Sequence, residues 1–178
     1  MLKGNQVTLR KLKKADFSFL HQWINDPVIK RFWYGQDKPR SKQWVNQHFT
    51  SVLTHKNPSQ CWIIELQGKP IGFMYNTLEK NDDGEFLGRV ELDIMIGDKI
   101  QWGKGYGTDA LKTMINYAFT TQKAERVYIT PRDTNTRAIH VYQKAGFKKE
   151  GIMRHFEKFE GKWINCLMMA IIKDEFKP

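Results

Sequence analysis

The chain has 178 residues, of which 40% are hydrophobic and 27% charged, and its formal net charge is +10. That length suits one domain, spanning residues 1–178, around one substantial core, and the composition is that of a soluble globular protein. No run of eighteen apolar residues offers a membrane span, and the opening MLKGNQVTLRKLKK has no apolar stretch for a signal peptide, so a cytoplasmic protein with no membrane association is expected.

The positive charge raises three explanations: nucleic acid, an acidic small ligand, or solubility alone. Basic residues are spread along the whole chain, with local clusters only at Arg10–Lys14 and Lys148-Lys149. Neither zinc-finger nor helix-turn-helix spacing is present, so no nucleic-acid partner is expected. Cys61 and Cys166 lack metal-ligand spacing and sit among apolar residues, as buried reduced thiols would. His21, His48, His55, His140 and His155 are scattered, and no metal site is expected.

Taken in chain order, Val7–Leu12 reads as a first strand. Asp16 is placed to cap a helix carrying Phe17, Leu20, His21 and Ile24 on one side, ended by Asn25-Asp26-Pro27. The aromatic run Phe32-Trp33-Tyr34 precedes a second helix over roughly Lys42 to Leu53. Cys61–Leu66 and Ile71–Leu78 read as strands joined by the turn Gln67-Gly68-Lys69-Pro70, and Asn81-Asp82-Asp83-Gly84 is another turn. In Arg89–Ile96, Val90, Leu92, Ile94 and Ile96 alternate with Glu91, Asp93 and Met95, so two carboxylates share the less apolar face. Arg126–Thr130 is a short β-branched strand. Asn135 can cap a helix carrying Ala138, Ile139 and Tyr142, with Gly146 as its stop. Phe147 to Ile172 reads as two strands around Glu160-Gly161-Lys162. Strands and helices mix without strict βαβ alternation, which predicts an α+β fold with a mainly antiparallel sheet.

The segment IQWGKGYGTDALKTMINYAF, Ile100 to Phe119, places three glycines before a well-formed amphipathic helix with Leu111, Met114, Ile115, Ala118 and Phe119 on one face. Gly103, Gly105 and Gly107 are costly unless the backbone there does something side chains would obstruct. A glycine turn feeding a helix N-terminus offers free N–H groups and the positive end of the dipole, which suits a phosphate. Walker A spacing fails because Gly105 follows Lys104, and a dinucleotide site would need an N-terminal βαβ unit.

Together, WGKGYGTDAL and NTRAIHVYQKAGF, in this order and separation, resemble the GNAT superfamily of acetyl-CoA-dependent N-acetyltransferases. The resemblance covers almost the whole chain. It implies a three-layer α/β/α fold, with a mixed sheet of six to seven strands flanked by about four helices. It also implies acetyl-CoA as cosubstrate, a small-molecule amine as acceptor, no metal, and a monomer or homodimer. Gly105 and Gly107 match the family's pyrophosphate signature, while Trp102 stands where a Gln or Arg is usual. The coenzyme's phosphates would rest on Gln101, Trp102, Gly103, Lys104, Gly105, Tyr106, Gly107 and Thr108. Backbone groups of Ile94, Met95 and Ile96, and the side chain of Asn135, would hold the pantetheine arm.

Acetyl transfer to an amine needs a neutral nucleophile and a proton for the departing thiolate. By the resemblance, Tyr142, seven residues after Asn135, is the general acid, since a phenol keeps its proton at neutral pH. Asp93 matches the strand aspartate of aminoglycoside 6'-N-acetyltransferases and is the expected base, with Glu91 the alternative base acting through water. An ordinary aspartate is roughly six pKa units too weak to deprotonate an alkylammonium, and burial beside Glu91 would narrow the gap. Trp33 and Tyr34 would wall the acceptor together with Glu91 and Asp93. The acidic stretch Glu79, Asp82, Asp83, Glu85, Glu91 and Asp93 suits a polycationic acceptor such as an aminoglycoside. The alternatives are a protein N-terminus, as in ribosomal-protein acetyltransferases, or a non-catalytic coenzyme-A-binding regulator.

Overall fold

The computed structural model describes residues 1–33 and 38–177. In chain order its elements are strands β1 (Leu2–Lys3) and β2 (Thr8–Lys11), helices α1 (Phe17–Asn25), α2 (Pro27–Lys30) and α3 (Lys42–Leu53), and strands β3 (Ser59–Leu66), β4 (Lys69–Lys80) and β5 (Phe86–Ile96). Helix α4 (Tyr106–Thr120), strand β6 (Arg126–Ile129), helix α5 (Thr136–Ala145) and strands β7 (Lys148–Phe159) and β8 (Lys162–Ile172) complete it. The sheet runs β1-β2-β3-β4-β5-β6-β8-β7. Its neighbours are antiparallel except β5 and β6.

The α+β, mainly antiparallel expectation therefore holds. The strand number is eight rather than six or seven, because the two-residue β1 pairs with β2. Five α-helices are present among the described residues instead of about four, because Asn25-Asp26-Pro27 both stops one helix and starts the next. The Asp26 carboxylate accepts from the N–H groups of Val28 and Ile29, and Pro27, which has no N–H to lose, takes the first helical position. Asp16 does not cap α1. Its carboxylate is held by the Arg10 guanidinium at 2.7 Å and by the Lys13 N–H at 2.8 Å, a tertiary claim stronger than the local one.

Strand alternation splits the core in two. Trp62, Ile64, Met74, Val90 and Leu92 point toward α4 and α5, meeting Leu111, Met114, Ile115 and Ile139. Cys61, Ile63, Phe73 and Met95 point the other way, meeting Phe17, Leu20 and Trp23 of α1 and Val45, Phe49 and Val52 of α3. The three-layer arrangement follows. Turn chemistry sets the hairpins: Gln67-Gly68 and Glu160-Gly161 are two-residue loops with positive φ at both positions. The turn expected over four residues at Gln67 is thus only two long, and β4 begins at Lys69.

Candidate active site

The sheet opens at one place. β5 pairs with β6 only where Arg89, Val90 and Glu91 face Arg126, Val127 and Tyr128. Beyond Glu91, β5 keeps its partner β4 as far as Ile96, whereas β6 ends at Ile129. A cavity of about 360 Å³ lies in this gap, bounded by Ile94, Met95 and Ile96 on one side and by Asn135, Ala138 and Tyr142 on the other.

The glycine turn forms its rim. Gly103 and Gly105 have φ of 78° and 87°, a region where a side chain is strained, and Gly105 is the N-cap of α4. Among the described residues, no protein acceptor takes the backbone N–H groups of Gly103 through Thr108; the first helical bond of α4 runs from Asp109 to the Gly105 carbonyl. Gly107 differs from its neighbours. Its φ is ordinary, and an added Cβ would lie 3.7 Å from Ile96 Cγ1 and Val141 Cγ1, a normal contact. Neither strain nor packing requires glycine there, so the position is free for a guest to approach the backbone closely. These donors and this clearance fit a pyrophosphate.

Trp102 has its own work in this turn. Its indole Nε1 donates to the Ile96 carbonyl at 2.7 Å, tying the turn to β5, and the Arg137 guanidinium stacks 3.7 Å from the ring centroid. Gln101 is bridged to Asp98 and Lys104, each at 3.2 Å. Lys104 is exposed and, unlike the other turn residues expected to line the site, does not line the cavity. Asn135 caps α5 through its Oδ1, which accepts from Ala138 N–H at 3.2 Å, and the residue lines the cavity.

Tyr142 lines the cavity and is 7% exposed. Burial first, then the charge of Asp93, raises its phenol well above the ordinary value of 10, so the proton stays on. Glu91 and Asp93 face the α1/α3 side of the sheet and do not themselves line the 360 Å³ cavity. Met95, two residues along the same face from Asp93, does, which puts Asp93 at the cavity's edge about 7 Å along the strand. Burial pushes Asp93 up to about 6. Burial, followed by the charges of Asp93 and Glu79, pushes Glu91 up to about 7.

Across from Asp93 in the β4 register stands Tyr75, whose hydroxyl lies 2.9 Å from His48 Nε2. Trp33 lines the cavity and packs on Phe73 and Tyr75, at ring-centroid distances of 5.1 and 6.4 Å. An aromatic wall therefore stands beside Asp93; Tyr34, expected in the same wall, lies outside the described residues. The acidic stretch is not one patch. Glu79 is paired with Arg89 at 2.6 Å and hydrogen-bonded by the Tyr128 hydroxyl, while Asp82, Asp83 and Glu85 sit exposed at the β4–β5 turn. Among the described residues, no ion pair engages Glu91 or Asp93.

Phe32, part of the aromatic run with Trp33, also lines the cavity, whereas sequence reasoning missed Ile29 beside it and Arg137, Val141 and Lys144 on α5. His140 is exposed and also lines the cavity. The signal for the α5 residues was present: Arg137, Val141 and Lys144 fall at helical spacing behind a cap already suspected of touching coenzyme.

Residues 6–148 match the family described as Acetyltransferase (GNAT) domain. The chain belongs to the GNAT acetyltransferase family. Spermidine N(1)-acetyltransferase of Escherichia coli K12 is 26% identical over 176 residues, covering 99% of this chain and 91% of the relative. Aminoglycoside N(6')-acetyltransferase type 1 of Klebsiella pneumoniae is 28% identical over 155 residues, covering 83% and 77%. In fold, this GNAT enzyme resembles Vibrio cholerae spermidine N-acetyltransferase solved with CoA and spermine, with TM-score 0.83, 24% identity, and coverage of 96% and 97% of the two chains. No helix among the described residues is long and apolar enough to cross a membrane, and none of their His, Cys, Asp and Glu side chains group in a way that could hold a metal ion.

Proposed function

We propose that this GNAT enzyme transfers an acetyl group from acetyl-CoA to a primary amine of a polycationic small molecule, an aminoglycoside foremost. One observation carries the choice of acceptor: Asp93, with Glu91 two residues away on the same strand face and no ion pair to either among the described residues, stands opposite Tyr75, which packs on Trp33 of the 360 Å³ cavity's lining. In a chain of net charge +10, a cationic guest needs such a local reversal of sign.

Acetyl-CoA supplies the activated acetyl group as a thioester. The N–H groups from Gly103 to Thr108 hold its phosphates, with Arg137 and Lys144 adding positive charge, and Gly107 lets the backbone come close. Asn135 and the main chain of Ile94 to Ile96 hold the pantetheine arm; because Trp102 already occupies the Ile96 carbonyl, that oxygen has less capacity left for it. Asp93 accepts the proton that the ammonium sheds on becoming a nucleophile. Its upward shift to about 6 reduces the mismatch with an alkylammonium near 10.4, and the desolvated amine supplies the rest. Glu91 anchors the acceptor's charge or relays the proton through water. Tyr142, held neutral, donates to the departing thiolate.

A polyamine is the second reading, favoured because the spermidine relative spans 99% of this chain. An acetyl-CoA consumption assay over aminoglycosides, polyamines and peptide N-termini separates them. Turnover is expected with the aminoglycosides or, on the second reading, with spermidine and spermine. Preference for a peptide N-terminus would overturn the polycation assignment, and coenzyme binding without turnover on any amine would leave a regulator.

A further inference from the structure

We propose that the buried ion pair of Arg132 and Glu157 is a positioning device that fixes Phe32 and Trp33, the wall facing the acceptor, and thereby sets acceptor affinity. The inference rests on the acetyltransferase reading above for its kinetic consequence, but its structural half stands apart from it.

Arg132, in the loop between β6 and α5, and Glu157, in β7, are each 5% exposed. Arg132 Nε donates to Glu157 Oε2 at 2.7 Å and Nη2 to Oε1 at 2.5 Å, and the guanidinium lies 4.1 Å from the Phe159 ring centroid. Its third nitrogen, Nη1, donates at 2.5 Å to the main-chain carbonyl of Arg31, 101 residues away in sequence. That carbonyl belongs to the C-terminal turn of α2, where helical carbonyls lack partners within the helix. The other two are met locally: Phe32 N–H donates to the Ile29 carbonyl at 2.9 Å and Trp33 N–H to that of Lys30 at 3.3 Å. Arg132 thus completes the turn from which both aromatic rings are hung, and its positive charge suits the negative end of the helix. Its own carbonyl accepts from Asn135 N–H at 3.0 Å, so one residue links the acceptor wall to the helix cap beside the cavity.

The irregularity of β7 makes sense as the means of burying Glu157. Met153 faces Cys166 and Glu157 faces Ile164, so Arg154, His155 and Phe156 together oppose the single Asn165. The bulge is held by His155 N–H donating to Asn165 Oδ1 at 3.0 Å, with His155 at φ 50°. Glu157 is the one buried residue of β7, in a strand otherwise exposed along most of its length. A hairpin needing only stability would close without the bulge and without an internal charge, since a buried ion pair is often no more stabilising than apolar groups of similar size.

That last point supplies the test. Arg132→Met takes the guanidinium away from a buried carboxylate and should lower Tm, whereas Arg132→Met combined with Glu157→Met removes both charges and should recover most of the loss. Arg132→Lys keeps a charge beside Glu157 but lacks the fork that reaches Glu157 and Arg31 together, and it guards against failure of the double variant to fold. In the double variant and in Arg132→Lys, acceptor KM should rise about tenfold or more, with kcat changed less than about threefold and CoA Kd unchanged. Amide exchange over residues 29–33 should accelerate in both. A double variant with restored Tm and wild-type KM overturns the proposal, as does a rise in CoA Kd matching that in KM. If the wild type acetylates no amine, the functional reading falls, and wild-type exchange protection at 29–33 in Arg132→Lys would then overturn the positioning role by itself.

Discussion

Asp93→Asn should make the protein more stable and less active, and the stability gain should depend on pH. Burial raises the Asp93 carboxyl from 3.8 to about 6, so the folded chain holds this proton more tightly than the unfolded chain does. A difference of about 2 pKa units corresponds to about 3 kcal/mol at about 1.4 kcal/mol per unit. The sign follows directly. Asp93's relative stabilisation is fully present below pH 3.8 and is lost as pH rises through about 6, where the folded state must carry a desolvated charge. The nearly isosteric asparagine never ionises, so the variant should match wild type near pH 4 and exceed it at pH 8 by up to about 3 kcal/mol, or about 6–12 °C in Tm for a chain of this size. Partial solvent contact of Asp93 makes this an upper value. The assay is thermal unfolding of the ligand-free protein across pH 4 to 8, paired with the pH profile of kcat/KM for the best amine. Turnover should fall about 10²–10⁴-fold if the carboxylate is the base. Equal destabilisation at every pH would show that Asp93 makes a stabilising contact rather than bearing a burial cost. Wild-type rates with an unchanged profile would remove it from the mechanism and leave Glu91, raised to about 7, as the carboxylate to test.

Tyr142→Phe should lower kcat while Tm and CoA Kd stay near wild type, because the ring stays packed against Phe147 at a 6.1 Å centroid distance; normal turnover with a lowered Tm would instead make it a core tyrosine. Gly107→Val should fold, since its Cβ meets only ordinary contacts at 3.7 Å, and should weaken CoA binding more than about tenfold, a change of about 1.4 kcal/mol. Unchanged calorimetric affinity in a folded Gly107→Val protein would displace the pyrophosphate from this turn. Gly105→Val is the weaker experiment, because φ of 87° adds backbone strain of about 1–2 kcal/mol whatever binds.

Features set by near neighbours were legible in the sequence. Helix α3 runs from Lys42 to Leu53 as its pattern indicates, with Ser41 Oγ accepting from Trp44 N–H at 3.1 Å as an N-cap should. Gly146 stops α5 at φ 109°, and the alternation of β5 put Glu91 and Asp93 on one face without help from the rest of the chain. Legibility failed where distant groups competed. Asp16 has the right residue type for a cap, yet Arg10 and the Lys13 N–H take its carboxylate. Arg132, Glu157 and the Arg31 carbonyl come together across 25 and 101 residues, beyond any local periodicity. The gap between β5 and β6 leaves no local mark either, because both segments are good strands.

Charge and sheet geometry together support the proposed pairing of an anionic with a cationic reactant in one small domain. β5 is the partition. Ile94 and Ile96 belong to the side of α4, where unpaired N–H groups, Arg137 and Lys144 favour phosphates, while Glu91 and Asp93 belong to the side of α1 and α3. Exposed charges are screened beyond roughly 8–10 Å at physiological salt, so the spread lysines behind the +10 total need not cancel two half-buried carboxylates nearby. A continuous sheet would keep the two reactants on opposite faces. The loss of β6 as a partner after Glu91 opens a passage where the groups of one face can meet those of the other, and Asp93 lies near enough for its charge to add to burial in raising the Tyr142 phenol. The expected base and the expected acid come from opposite faces of the sheet, and the end of the β5–β6 pairing is where the proposed reaction would bring them together.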